Sequence, residues 1–255
     1  MPDTSNTALL SWTQPLRETA QACVPDWVLD QQMRLNCGLG LASFGATLMA
    51  SGVGKTFTQT NPYRMAIVPV GLTAMGLGLT FKEHRLSESE VDALRMRSLP
   101  GHFLQSVRDG FNPADHIFQT SGLLNLTIAG LQLAAYRYEG NPAFRGELIG
   151  AGVAGLAGLG MLGARDPANG WQVRSLSYLG GFAPEAAANW KLYAHAVDAA
   201  TRHKGGWLLA KTVIAGSAHS MGFLLGGASK DTPDTRVSEA ARPAPALTSA
   251  SPALS

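Results

Sequence analysis

Charged residues along the chain are gathered into blocks, and between the blocks lie five windows without Asp, Glu, Lys or Arg. The windows run from Arg34 to Lys55, Arg64 to Lys82, Asp115 to Arg137, Glu147 to Arg165 and Lys211 to Lys230. Each holds 17 to 21 residues, which as α-helix rises about 25–32 Å. The hydrocarbon core of a bilayer is about 30 Å thick. A helix on the surface of a globular protein carries a polar face, yet the windows 35–54 and 148–164 have no charge on any face. A helix satisfies its own backbone in lipid. The pattern therefore predicts an all-α integral membrane protein with about five transmembrane helices.

The same reading divides the chain into a polar arm over 1–34, a five-helix membrane domain over 35–229, and a disordered Pro/Ala/Ser-rich tail over 230–255. Two long loops carry amphipathic helices. One is expected over 86–111, where Ser87 and Glu90 have capping-box spacing and Val91, Leu94 and Leu99 follow at near-helical intervals. The other is expected over 184–203, opened by Pro184, with Trp190, Tyr193, Ala194 and Val197 as its apolar stripe. These loop helices lie on the membrane surface or pack on each other as a cap.

Composition adds exclusions. A net charge of +2 without a basic face gives no argument for nucleic acid. Cys23 and Cys37 are the only cysteines; they make no disulfide framework and no zinc spacing. No secretory signal pattern is read at the start. Twelve basic residues flank the spans on the N-terminal side and seven on the other, so the positive-inside rule predicts a cytoplasmic N-terminus and an external C-terminus. Tyr63, Tyr136, Tyr138 and Trp207 fall at segment ends, where an aromatic belt belongs.

Two motifs come close to known chemistry and miss. SGVGKT (51–56) ends like a phosphate-binding loop, but Met49 stands where the first glycine is needed. AHSMG (218–222) looks like a nucleophile elbow at Ser220, but no histidine follows His219 to complete a triad. Catalytic, cofactor and metal sites are accordingly not expected.

The most specific pattern is small residues at helix-contact spacing. Gly38, Ala42 and Gly45 lie in the first window, Gly71, Ala74 and Gly78 in the second, and Gly146, Gly150, Ala154 and Gly158 in the fourth. Gly222 and Gly226 lie in the fifth. Such faces let helices approach closely in lipid. Lys211 and His219, eight residues apart on the fifth helix, form a candidate intramembrane polar site. A hydrogen bond from His219 to Asn125 or Thr127 is the structural alternative. Asn61-Pro62 with Arg64 and Asn141-Pro142 with Arg145, about 80 residues apart, hint at an internal duplication.

The leading expectation is a non-enzymatic multi-pass membrane protein acting in the lipid bilayer by helix packing, through self-association or other membrane proteins. The alternatives are a small transporter or channel using the polar site, and a secreted bacterial effector that inserts into a host membrane.

Overall fold

The computed structural model describes residues 13–53, 60–80, 98–114, 116–164 and 167–225. These residues are helical throughout apart from connections: α1 (Gln14–Cys23), α2 (Asp26–Ser51), α3 (Pro62–Thr80), α4 (Leu99–Asp109), α5 (Ile117–Glu139), a 3-10 turn (Pro142–Phe144), α6 (Arg145–Gly163), α7 (Pro167–His195) and α8 (Ala199–Leu225). Two segments, Pro142–Gly163 and Ala199–Leu225, are long and apolar enough to cross a membrane.

Local sequence explains where the helices stop. Gly52 (φ 85°) and Gly140 (φ 61°) adopt the left-handed conformation that ends α2 and α5. The Asn61 side chain accepts from the backbone N–H groups of Tyr63 and Arg64, with Pro62 as the first residue of α3. Asn141 repeats the device, accepting from Ala143 N–H before the 3-10 turn. The two Asn-Pro pairs thus cap alike, but their arginines diverge: Arg64 is buried and Arg145 exposed.

Six long helices close into a ring. α2 packs on α3, α3 on α5, α5 on α6, α6 on α7, α7 on α8, and α8 returns to α2. α1 lies against the C-terminal end of α8, where Gln21 donates to the Leu224 carbonyl. α4 sits near the C-terminal end of α6, where His102 Nε2 lies 3.0 Å from the Ala164 carbonyl.

The sixth ring member is the main departure from the sequence reading. Where a loop helix over 184–203 is expected, residues 167–195 form one continuous helix and the chain breaks at 196–198. Pro184 therefore lies inside α7. Packing outweighs proline's preference for a helix start: the α7 backbone at Gly181 is pressed against Val153 of α6. At the break, Asp198 Oδ1 accepts from Thr201 N–H at 2.7 Å, and that bond holds the Asp198 carboxyl below its usual range. The other expected loop helix, 86–111, is seen as α4 over 99–109; residues 86–97 lie outside the described residues, as does the tail over 230–255.

The interior holds many polar side chains beside apolar ones, and large apolar groups are also found on the outside. Among the described residues, seven of the ten largest fully buried side chains are polar: Arg64, His102, Asn61, Asn125, Asn189, Ser51 and Ser121. The outer faces carry Leu41, Leu72, Leu133, Leu148, Leu156 and Leu159, with Leu156 64% exposed. Exposed apolar residues are unremarkable alone; their pairing with a polar interior is the informative feature.

α6 lies at the crowded side of the ring, and its small residues make that position possible. Gly146, Gly150, Ala154 and Gly158 are all buried. A Cβ on Gly158 would lie 2.8 Å from the Gly122 carbonyl oxygen of α5, a backbone atom that cannot turn aside. A Cβ on Gly150 would meet only side-chain ends, Gln132 Nε2 at 3.0 Å and Glu185 Oε1 at 3.2 Å. Gly158→Leu should therefore cost about 1–3 kcal/mol by overpacking. Gly150→Ala should cost less. Thermal unfolding in detergent measures both; equal stability of Gly158→Leu and parent would refute close α5–α6 packing.

Candidate functional site

Two polar assemblies occupy the ring interior. The first is built where α2 ends and α3 begins, beside the junction of α5 and α6. Arg64, from the first turn of α3, is fully buried. Its Nε donates to Glu147 Oε1 at 2.6 Å and its Nη2 to Glu147 Oε2 at 2.9 Å, a two-pronged pairing. Its Nη1 donates to the Ala50 carbonyl at 2.9 Å and lies 2.7 Å from Glu139 Oε1. Lys204 of α8 donates to both Glu139 oxygens at 3.1 and 3.0 Å, and Asn61 Nδ2 adds a bond at 3.2 Å. The Phe144 ring covers the cations, with Arg64 Cζ at 5.1 Å and Lys204 Nζ at 5.9 Å from its centre. Two cations face two carboxylates. The cluster is neutral and ties together α2, α3, α5, α6 and α8.

The second assembly surrounds a cavity of about 460 Å³ to whose wall every helix of the ring contributes. At its deep end Lys211 Nζ donates to Glu185 Oε1 at 2.6 Å, and Thr212 Oγ1 donates to the same oxygen at 3.0 Å. Gln132 of α5 stands on the same wall, 7% exposed, with its Oε1 bonded to nothing among the described residues. Farther along, Arg174 Cζ lies 5.3 Å from the centre of the Tyr178 ring. The same ring meets His219 edge-on at 4.0 Å. The wall then continues to Gln32 and Met33 near the start of α2 and to Met221 and Gly222 near the end of α8. The cavity thus extends from the bundle end that carries α1 to Lys211 and Glu185, and the Arg64 cluster lies beyond.

The sequence-derived sites can now be placed. Lys211 and His219 do share one site. The expected His219 contact with Asn125 or Thr127 is replaced by Tyr178, whose hydroxyl donates to Asn125 Oδ1 at 2.8 Å. Thr127 instead donates to the Leu123 carbonyl within α5. Gly71 and Ala74 are buried, and the Phe44 ring fills the space a side chain on Gly71 would need. Gly78 lies in α3. Gly146 leaves room for the Asn189 carboxamide, and Gly222 faces Asn36 across the cavity wall. Gly38, Ala42 and Gly45 are exposed, and a side chain on Gly38 or Gly45 would meet open space. Their stripe faces away from the ring, whose interior takes Ser43, Ala46, Thr47 and Ala50 from α2. Gly226 lies outside the described residues.

Ser220 sits within α8 and donates to the Gly216 carbonyl, so the strand-to-helix elbow a nucleophile needs is not present around it. Residues 54–56 of SGVGKT lie outside the described residues. Both cysteines are free, Cys23 exposed on α1 and Cys37 on the cavity wall.

Sequence reasoning missed Arg174, Tyr178 and Glu185, because all three sit on the helix read as a loop. A partial signal was available: ionisable Lys211 in an apolar helix requires a partner of opposite charge, and Asp198 and Glu185 are the two acidic residues nearest before it in the chain. Comparison of the chain with protein-family models, with curated proteins and with solved structures finds no match.

Proposed function

We propose that the chain is a multi-pass membrane protein of six spanning helices that binds a small polar solute within the bundle, as a transporter or channel does. The observation that carries this reading is the cavity of about 460 Å³ walled by all six ring helices, with paired charge at its deep end. Ionisable groups at membrane depth line solute or ion paths because their desolvation is otherwise costly. The balanced cluster of Arg64, Glu139, Glu147 and Lys204 closes the far end, as a gate would. Exposed leucines around an interior that holds many buried polar side chains suit a bundle surrounded by lipid rather than water.

Six alternating spans return the C-terminus to the side of the N-terminus. The balance of basic residues between the two sides stays at twelve to seven, so the expected cytoplasmic N-terminus is kept while the C-terminal tail joins it. Cys37 reports on this arrangement. In a Cys23→Ser variant it should react with a hydrophilic, membrane-impermeant thiol reagent applied to inside-out vesicles, and stay shielded in intact cells. The protein should remain with membranes through alkaline carbonate washing. Release by carbonate, or a Cys37 that reacts only after denaturation, would count against the reading.

A second reading, association between copies, is favoured by the outward stripe of Gly38, Ala42 and Gly45 on α2. Ala42→Leu should abolish a cross-linked dimer in membranes without lowering thermal stability. A dimer unaffected by Ala42→Leu would exclude this face.

A further inference from the structure

α8 has 27 residues, which as helix rise about 40 Å. The hydrocarbon core of a bilayer is about 30 Å thick, so roughly one turn at each end of α8 stands at headgroup level. At the N-terminal end that turn leads to Arg202 and His203, both exposed. An open groove on the outside of the bundle begins there. It is lined by Tyr193 of α7 and by Arg202, His203, Gly206, Trp207 and Ala210 of α8. The Tyr193 ring lies against Gly206, where a Cβ would come within 3.3 Å of it. The His203 and Trp207 rings meet edge-on with centres 6.2 Å apart, and Trp190 extends the aromatic edge of α7, 5.8 Å from Tyr193. Val213, half exposed, continues the same face of α8 inward. A basic head, an aromatic collar and a small apolar track thus follow one another along the helix, the order of polarity of a phospholipid. We propose that this groove holds one anionic phospholipid, with its phosphate at Arg202 and His203 and an acyl chain along Gly206, Ala210 and Val213, an inference that rests on the membrane reading above.

Charge complementarity selects the headgroup. Arg202 Nη2 donates to the Ala196 carbonyl at 3.2 Å, which holds the guanidinium at the groove mouth. That bond takes one of the five N–H groups of a guanidinium, whose planar fork matches phosphate oxygens. His203 adds a ring N–H. Asp198, the acidic residue of this turn, has Oδ1 engaged by the Thr201 N–H, and Lys204 is committed to Glu139. Tyr63 and Tyr138, exposed at the same end of the bundle with ring centres 6.0 Å apart, fall where an aromatic belt marks the headgroup level.

Native mass spectrometry of the full chain tests the proposal. The protein is released from detergent micelles that hold equal amounts of phosphatidylglycerol and phosphatidylcholine with identical acyl chains, and the lipids it retains are counted. The parent should retain a phosphatidylglycerol about fivefold more often than a phosphatidylcholine, the preference one basic side chain gives near anionic lipid. Arg202→Gln/His203→Gln should remove that preference. Arg145→Gln, which deletes an exposed charge outside the groove, should keep it. Equal retention of the two lipids by the parent, or the same loss from Arg145→Gln as from the groove variant, overturns the headgroup site and leaves the membrane reading standing. A dimer in place of the bound lipid, lost on Arg202→Gln, assigns the groove to a second copy and overturns the lipid site as well. A chain that stays folded and dissolved without detergent and retains neither lipid overturns the membrane reading itself.

Discussion

Arg64→Leu is expected to destabilise the protein by about 3–5 kcal/mol, the cost of leaving a buried carboxylate without its partner. Arg64 is fully buried and touches three other helices, through Ala50, Glu139 and Glu147. Its removal leaves Glu147, 5% exposed, without the two bonds it receives from the guanidinium. Glu139 keeps Lys204 and Asn61. The deficit therefore concentrates on Glu147, and the double variant Arg64→Leu/Glu147→Leu should recover most of the loss because Glu139 and Lys204 still balance. Arg145→Leu, at the corresponding Asn-Pro position but exposed, should change stability by no more than about 0.5 kcal/mol. Thermal unfolding in detergent reads all three. If the double variant is no more stable than Arg64→Leu, the charge imbalance is not the cause of the loss.

The contrast between Arg64 and Arg145 also marks what a single sequence can convey. Both follow Asn-Pro, and each Asn side chain accepts from backbone N–H groups just after it. Nothing in the local pattern separates an arginine that folds inward to meet Glu139 and Glu147 from one that stays outside. Those carboxylates lie 75 and 83 residues away in the chain. The charge-free windows were legible because the absence of charge is a local property, and each of the five coincides with a described helix for most of its length. α7 was not legible by that rule. Its Arg174 and Glu185 interrupt any apolar window, yet in the folded ring they face a cavity.

Glycine spacing failed in a different way. A repeat of small residues every three or four positions defines a face but does not say what the face meets. On α6 the stripe meets α5 and α7; on α2 it points outward. Lys211 and His219 were found because ionisable groups in an apolar stretch stand out locally. Their partners Glu185 and Tyr178 depend on how α7 folds back along α8, which no local signal in the chain specifies.

The pairing of α7 with α8 leads to the second large effect, an asymmetry between two neutral substitutions. Glu185→Gln keeps the shape of the side chain but leaves the buried Lys211 ammonium without the carboxylate it donates to. Lys211→Met leaves Glu185 with Thr212 as hydrogen-bond donor. Breaking a buried ion pair from the wrong side costs about 3–5 kcal/mol. Glu185→Gln should approach that range, and Lys211→Met should cost about 1–3 kcal/mol, since a carboxylate that keeps a hydrogen bond is only partly orphaned. Glu185 and Lys211 lose the same contact at 2.6 Å in either variant, so the difference isolates the charge left behind. Measured by thermal unfolding in one detergent at low salt, a larger loss from Lys211→Met than from Glu185→Gln would show that the Thr212 hydrogen bond does not support the carboxylate left behind.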